Sequence, residues 1–129
     1  MKRTIVDTSV FIAAERRDLR AMERIDALLE AGALAATAAT VVELAASPTQ
    51  PAEWRAFYRD LFRSAVRILP VTADAAFAGT EAALRAGGAK APDVLTAGVA
   101  LTLGLTVIAA DRDLARLMPE GAVELLSAS

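Results

Sequence analysis

The feature that most constrains this chain is its opening, Thr4-Ile5-Val6-Asp7-Thr8-Ser9-Val10-Phe11-Ile12. A short apolar run ends on one carboxylate, two hydroxyls follow, and a second apolar stretch begins at once. That order predicts a buried strand that ends at Asp7 and turns directly into a helix. In an open α/β sheet the carboxyl ends of the strands border the crevice where ligands bind. Asp7 therefore stands at a functional address, and the question becomes which other residues meet it there.

The rest of the chain repeats the alternation. Thr8 and Ser9 can cap a short helix running through Phe11 to about Ala14, and Glu15 to Arg20 reads as a charged connection. Met22, Ile25, Leu28 and Leu29 recur at helical spacing until Gly32. Ala33 to Thr37 reads as a second strand, and Thr37 or Thr40 can cap the helix holding Val41, Val42, Glu43 and Leu44. Ser47-Pro48-Thr49-Gln50-Pro51 is the clearest loop. Trp54, Phe57, Tyr58, Leu61, Phe62 and Ala65 form an apolar stripe, which at this spacing marks a core-facing or partner-facing helix rather than an RNA-stacking surface. Val66 to Val71 is a third strand, Ala73 to Ala86 a helix behind Thr72, and Gly87-Gly88 its stop. Pro92-Asp93 opens a helix without further charge that ends at Gly104. Leu105 to Ala109 reads as a buried parallel strand, Leu114 to Met118 as a short helix and Val123 to Leu126 as a last strand. Strands alternating with helices call for a sheet covered on both faces, hence one α/β/α domain over residues 1–129.

Composition limits the chemistry. The 129 residues are 55% hydrophobic and only 5% aromatic, so the core is built mainly from Ala, Leu and Val. Cysteine is absent, which excludes thiolate chemistry and fits a reducing cytoplasm. Histidine is absent too, removing the commonest general base and zinc ligand. Hydrolysis by this chain must rest on carboxylates, most plausibly with a metal. The net charge of −2 announces no nucleic-acid binder. Apart from Lys2 and Lys90 the basic residues are arginines, a choice that suits phosphate contacts and equally reflects a GC-rich genome. No signal peptide is read after Lys2-Arg3, because Asp7 interrupts the apolar run. The uncharged stretch from Val94 to Ala110 is shorter than the roughly 20 residues of a membrane span and holds two glycines.

Four acids stand where acids are awkward unless used: Asp7 at a strand end, Glu43 between Val42 and Leu44, Asp93 at the head of an uncharged helix, and Asp111 just after an apolar strand, with Asp113 two residues on. Each has an ordinary explanation alone. Asp93 suits a helix dipole, Asp111 can cap the next helix, and Glu43 can face solvent. Together they read differently, because Asp7 and Asp111 both follow strands, and neighbouring strands would aim both at one crevice. Crowded carboxylates are stable around a divalent cation, and an all-oxygen set suits Mg²⁺ or Mn²⁺. Two such ions about 4 Å apart suit phosphodiester hydrolysis.

The segments Ile5-Val6-Asp7-Thr8-Ser9-Val10-Phe11-Ile12-Ala13, Val41-Val42-Glu43-Leu44, Asp93-Val94-Leu95-Thr96-Ala97 and Ala110-Asp111-Arg112-Asp113-Leu114 resemble, in order, the four acidic motifs of PIN domains, and above all the single-domain VapC-type toxins of bacterial toxin–antitoxin pairs. The resemblance implies a three-layer domain with a mostly parallel five-stranded sheet, usually homodimeric, and a Mg²⁺- or Mn²⁺-dependent endoribonuclease. It implies a cognate antitoxin that covers the site and carries the complex to operator DNA. On this pattern Asp7 and Asp93 would be the principal metal ligands, Glu43 would take a ligand position or hold water at the metal, and Asp111 would complete the set. Asp113 would support it, Ser9 would orient Asp7, and Thr8 is a weaker candidate that capping explains equally well. The chain departs from the pattern at Ala109, where the family usually has threonine.

Other readings fare less well. A haloacid-dehalogenase-type phosphotransferase needs a second Asp where Ser9 stands, and a receiver domain needs an acidic pair and a late lysine that are missing. The rival of a different class is a catalytically silent PIN-fold module that only binds a protein partner. For an RNA substrate, Arg16, Arg17, Arg20, Lys90 and Arg112 are the candidate backbone contacts, with a solvated charged face as the plain alternative for Arg16 to Arg20.

Overall fold

The computed structural model describes residues 2–126. Its elements run β1 (Thr4–Val6), α1 (Thr8–Glu15), α2 (Leu19–Glu30), β2 (Leu34–Thr37), α3 (Ala38–Ala45), α4 (Ala52–Ser64), β3 (Arg67–Leu69), α5 (Ala73–Arg85), α6 (Ala91–Leu103), β4 (Val107–Ala109), a 3₁₀ turn (Ala115–Leu117) and β5 (Val123–Leu125). The five strands form one parallel sheet in the order β3-β2-β1-β4-β5. The chain winds outward from β1 through β2 to β3, then returns to the other side of β1 to add β4 and β5. That reversal makes the β1/β4 boundary the topological switch point, the place where open α/β sheets bind ligands.

Strand residues alternate between the two faces of the sheet. Val6, Leu34, Ala36 and Ile108 pack with Val10, Phe11, Ile25, Leu28, Tyr58 and Phe62 under α1, α2 and α4. Ile5, Ala35, Val107 and Ala109 pack with Ala75, Ala82, Ala97 and Ala100 under α5 and α6. The second layer is thin because it is built from alanine and glycine. A Cβ placed on Gly98 would lie 1.9 Å from the Ala75 carbonyl oxygen, so α5 and α6 approach at backbone distance. On the other face Phe11 meets Tyr58 and Phe62 edge-on at 5.9 and 5.6 Å between ring centres, which locks α1 beneath α4. The aromatic stripe therefore faces the core at Tyr58 and Phe62, while Phe57 is half exposed.

Several boundaries differ from the sequence reading. The cap of α1 is Asp7, whose carboxylate accepts from the Ser9 N–H, rather than Thr8 or Ser9. The charged connection shrinks to residues 16–18, because Asp18 caps α2 by accepting from the Ala21 N–H and the helix starts before its apolar stripe does. Thr37, not Thr40, caps α3. The third strand is confined to Arg67–Leu69, since it pairs only with Ala35, Ala36 and Thr37. The fourth starts at Val107, because the Leu105 N–H still closes the end of α6 on the Ala100 carbonyl behind left-handed Gly104. Among the described residues, no helix is long and apolar enough to cross a membrane.

Candidate active site

Asp7 follows the last residue of β1, and its N–H donates to the Ile108 carbonyl of β4 at 2.9 Å. Pairing of Val6 with Ile108 thus fixes the carboxylate at the switch point and brings the turn after β4, carrying Asp111, alongside it. Asp7 is only 5% exposed. Ser9, in the first turn of α1, donates from Oγ to Asp7 Oδ2 at 2.6 Å and accepts the Ala110 N–H at 2.9 Å. One hydroxyl therefore holds the carboxylate and the backbone just before Asp111 in a single arrangement.

Glu43 arrives from α3. Thr8 Oγ1 donates to Glu43 Oε1 at 2.8 Å, so the side chain that the sequence left as a capping candidate instead orients a second acid. Asp93 sits in the first turn of α6, whose N-cap residue Lys90 provides no side-chain capping bond. Asp111 is exposed in the turn after β4, and its Oδ1 accepts the Asp113 N–H at 3.1 Å. It shapes its own turn, and its charge acts on Asp7 and Asp93.

Electrostatics tie these groups together. Burial pushes the Asp7 carboxyl above its ordinary range against the lowering effect of the Ser9 hydrogen bonds, and the Asp111 charge raises it further. Burial likewise raises Glu43, opposed by the Thr8 bond, with the Asp7 charge adding to the rise. Asp93 is pushed up to about 6, first by burial and then by the charges of Asp7, Asp111 and Asp113. Asp7 thus lies within electrostatic reach of Glu43, Asp93 and Asp111, and Asp93 also within reach of Asp111. Yet among the described residues no three acidic side chains are gathered closely enough to form a ready coordination shell. The chemistry of the donor set fits a hard divalent cation: every side-chain ligand available is an oxygen, and the mutual repulsion is of the kind a positive ion relieves.

Two open cavities flank the N-terminal half of α1 and share Ile12. One, of about 310 Å³, is bordered by Ser9, Arg16, Asp18 and Asp111. The other, of about 480 Å³, is bordered by Thr8, Glu43, Thr49 and Gln50. Of the predicted basic contacts, Arg16 therefore reaches the acidic centre's edge. Arg17 lies in the turn after α1 with a left-handed φ of 67°, and Arg20 in the first turn of α2, both exposed. Lys90 pairs with Asp113 at 3.6 Å, with its charge acting on Glu43 and Asp93 as well. Arg112 is exposed beside Asp111. Ala109 points into the α5–α6 layer, fully buried.

The sequence reading missed one participant. Thr40 Oγ1 lies 2.9 Å from Thr8 Oγ1 in the buried seam between α1 and α3. The only signal for it was a hydroxyl three residues before Glu43, which as a cap candidate looked ordinary.

The structure is a parallel α/β domain with acidic residues coupled to Asp7 beside its switch point. The PIN domain family profile matches residues 4–118, and the chain belongs to that family. No curated protein matches it in sequence. Among solved structures it is similar to VapBC2 from Rickettsia felis bound to a DNA fragment from its promoter, with 17% identity, coverage of 96% of this chain and 98% of that one, and a TM-score of 0.73. DNA-bound VapBC from Salmonella typhimurium gives 20% identity, 96% and 98% coverage and a TM-score of 0.73. VapBC-5 from Mycobacterium tuberculosis, a member of the VapBC family of toxin–antitoxin systems, gives 26% identity, 99% and 100% coverage and a TM-score of 0.67.

Proposed function

We propose that this PIN domain is a Mg²⁺- or Mn²⁺-dependent endoribonuclease, the VapC-type toxin of a toxin–antitoxin pair. The observation that carries the reading is the coupling of Asp7, beside the β1/β4 switch point, to the charges of Glu43, Asp93 and Asp111, with Asp7, Glu43 and Asp93 raised chiefly by burial. The similarity of the whole fold to VapBC toxin–antitoxin proteins supports the biological role.

In this reading Asp7 at the end of β1 and Asp93 at the head of α6 would hold the cation. A bound divalent ion would activate water and neutralise charge on the phosphodiester. Glu43, oriented by Thr8, would hold water at the metal or take a ligand position. Ser9 holds the Asp7 carboxylate in place, and Asp111 would complete the set with Asp113 in support. Arg16, Lys90 and Arg112 would meet the RNA backbone, and the cavities either side of α1 would receive the nucleotides that flank the scissile phosphate. The partner is an antitoxin that covers this face and carries operator-DNA binding for the complex. Exposed Phe77 and Leu84 share one face of α5, at 71% and 76% exposure, and supply apolar surface that a homodimer would cover. The protein acts in the cytoplasm, where RNA and antitoxin are found.

The open spacing of the acids favours a second reading, a PIN-fold module that binds its partner without catalysis. One experiment separates them. Purified protein is incubated with RNA and Mn²⁺, with and without EDTA, beside Asp7→Asn. Cleavage that requires metal and is lost in the folded variant supports the nuclease; partner binding without any metal-dependent cleavage supports the module.

A further inference from the structure

Glu43 depends on more than its own helix. Thr8 Oγ1 stands 2.8 Å from Glu43 Oε1 and 2.9 Å from Thr40 Oγ1. A threonine hydroxyl carries a single proton, and an ionised carboxylate can only accept. The Thr8 proton therefore goes to Glu43, and the contact between the two hydroxyls needs the Thr40 proton, directed at Thr8 Oγ1. We infer that Thr40 is a positioning residue for Glu43, acting through Thr8 by fixing the hydroxyl rotor that aims at the carboxylate. This rests on the nuclease reading only in giving Glu43 its place in the site.

The surroundings hold that relay in place. Thr40 is fully buried and Thr8 is 8% exposed, which restricts water from competing for either hydroxyl. Thr40 is free of capping duty because Thr37 caps α3. Its backbone N–H donates to Thr37 Oγ1 at 3.4 Å, and Thr37 Oγ1 meets Thr96 Oγ1 of α6 at 3.3 Å. Thr96 lies one turn beyond Asp93. A line of polar contacts thus links the helix that carries Asp93, the end of β2, and the two helices that carry Thr8 and Glu43. A hydroxyl buried merely to fill space needs no such order. Here the Thr8 and Thr40 protons each have one direction.

The test is a mutant cycle read in two ways. Thr40→Val, Thr40→Ser, Thr8→Val and the Thr8→Val/Thr40→Val double variant are compared by urea unfolding in EDTA and by calorimetric Mn²⁺ titration. Thr40→Val is expected to weaken Mn²⁺ binding roughly ten-fold, the loss typical of a residue supporting a metal ligand, and Thr40→Ser to retain it. In the Thr8→Val background, Thr40→Val should add nothing to the Mn²⁺ loss and far less to the change in unfolding constant than it does alone. Additive losses, or Thr40→Ser as damaging as Thr40→Val, overturn the assignment. Should Thr40→Val fail to fold, Thr40→Ala takes its place in the cycle with the same expectations. If the wild-type protein takes up no Mn²⁺ while the unfolding cycle stays non-additive, the nuclease reading fails and the Thr40–Thr8 link stands. Additive unfolding removes the link whatever the metal does.

Discussion

Ser9 Oγ donates to Asp7 Oδ2 at 2.6 Å while accepting the Ala110 N–H at 2.9 Å, so a single hydroxyl joins the acid that ends β1 to the backbone that leaves β4. Removing it leaves Asp7 with the Ser9 N–H bond at 3.2 Å but without the shorter one, and takes the side-chain partner from the Ala110 N–H. Ser9→Ala should therefore destabilise the fold by only about 1 kcal/mol, yet weaken Mn²⁺ binding and RNA cleavage by roughly ten-fold. Urea unfolding and calorimetry on one preparation separate the two effects. A variant with wild-type metal affinity would show that the bond is merely structural.

The raised Asp93 carboxyl makes the metal-free protein sensitive to pH. Its value moves from 3.8 in the ordinary range to about 6 in the fold, chiefly through burial and then through its acidic neighbours. Between those values the native state binds a proton that the unfolded chain has released, so this contribution to stability is present below the lower value and lost as pH rises through the upper one. In EDTA, Asp93→Asn should flatten that slope and stabilise the protein at pH 7 by roughly 1 kcal/mol after allowance for solvent screening. Denaturation midpoints at pH 5 and pH 7, for wild type and variant, check it. An unchanged difference between the two pH values contradicts it.

The close approach of α5 and α6 sets where Asp93 sits. A Cβ on Gly79 would lie 2.1 Å from the carbonyl oxygen of Val94, the residue after Asp93. Backbone cannot yield as a side-chain tip does, so Gly79→Ala should cost about 3 kcal/mol or more and displace the first turn of α6. Gly32→Ala is the comparison, since Gly32 has a left-handed φ of 66° with open space around it. It should cost about 1–2 kcal/mol from backbone strain alone and leave Mn²⁺ affinity as it was. Equal Mn²⁺ affinity in the two variants would contradict the placement of Asp93 by this packing.

Much of the fold was legible because its signals are local. A strand ending in Asp7, the glycines that stop α2, α5 and α6, and the alternation of short apolar runs with helical stripes are all written in adjacent residues. The failures were competitions among neighbours of similar chemistry. Asp18 caps α2 but stands among Glu15, Arg16, Arg17 and Arg20, where it looked like one charge in a linker. Asp7 caps α1 although two hydroxyls follow it, because its carboxylate reaches the Ser9 N–H while Thr8 Oγ1 is engaged by Glu43 and Thr40. In the site, the acids could be named singly, and the pairing of β1 with β4 is what brings the turn carrying Asp111 alongside Asp7. Contacts such as Thr8 with Thr40 join residues far apart in sequence, and no spacing rule announces them.

The account depends on Asp7, Glu43 and Asp93 acting as one cation-holding centre although they reach it from three different elements. Calorimetric Mn²⁺ titration of the wild-type protein beside Asp7→Asn, Glu43→Gln and Asp93→Asn, each checked for folding, measures that directly. Saturable binding in the wild type, abolished by Asp7→Asn and weakened at least ten-fold by each of the others, is the predicted result. No saturable binding in the wild type, or affinity indifferent to these three substitutions, would contradict it.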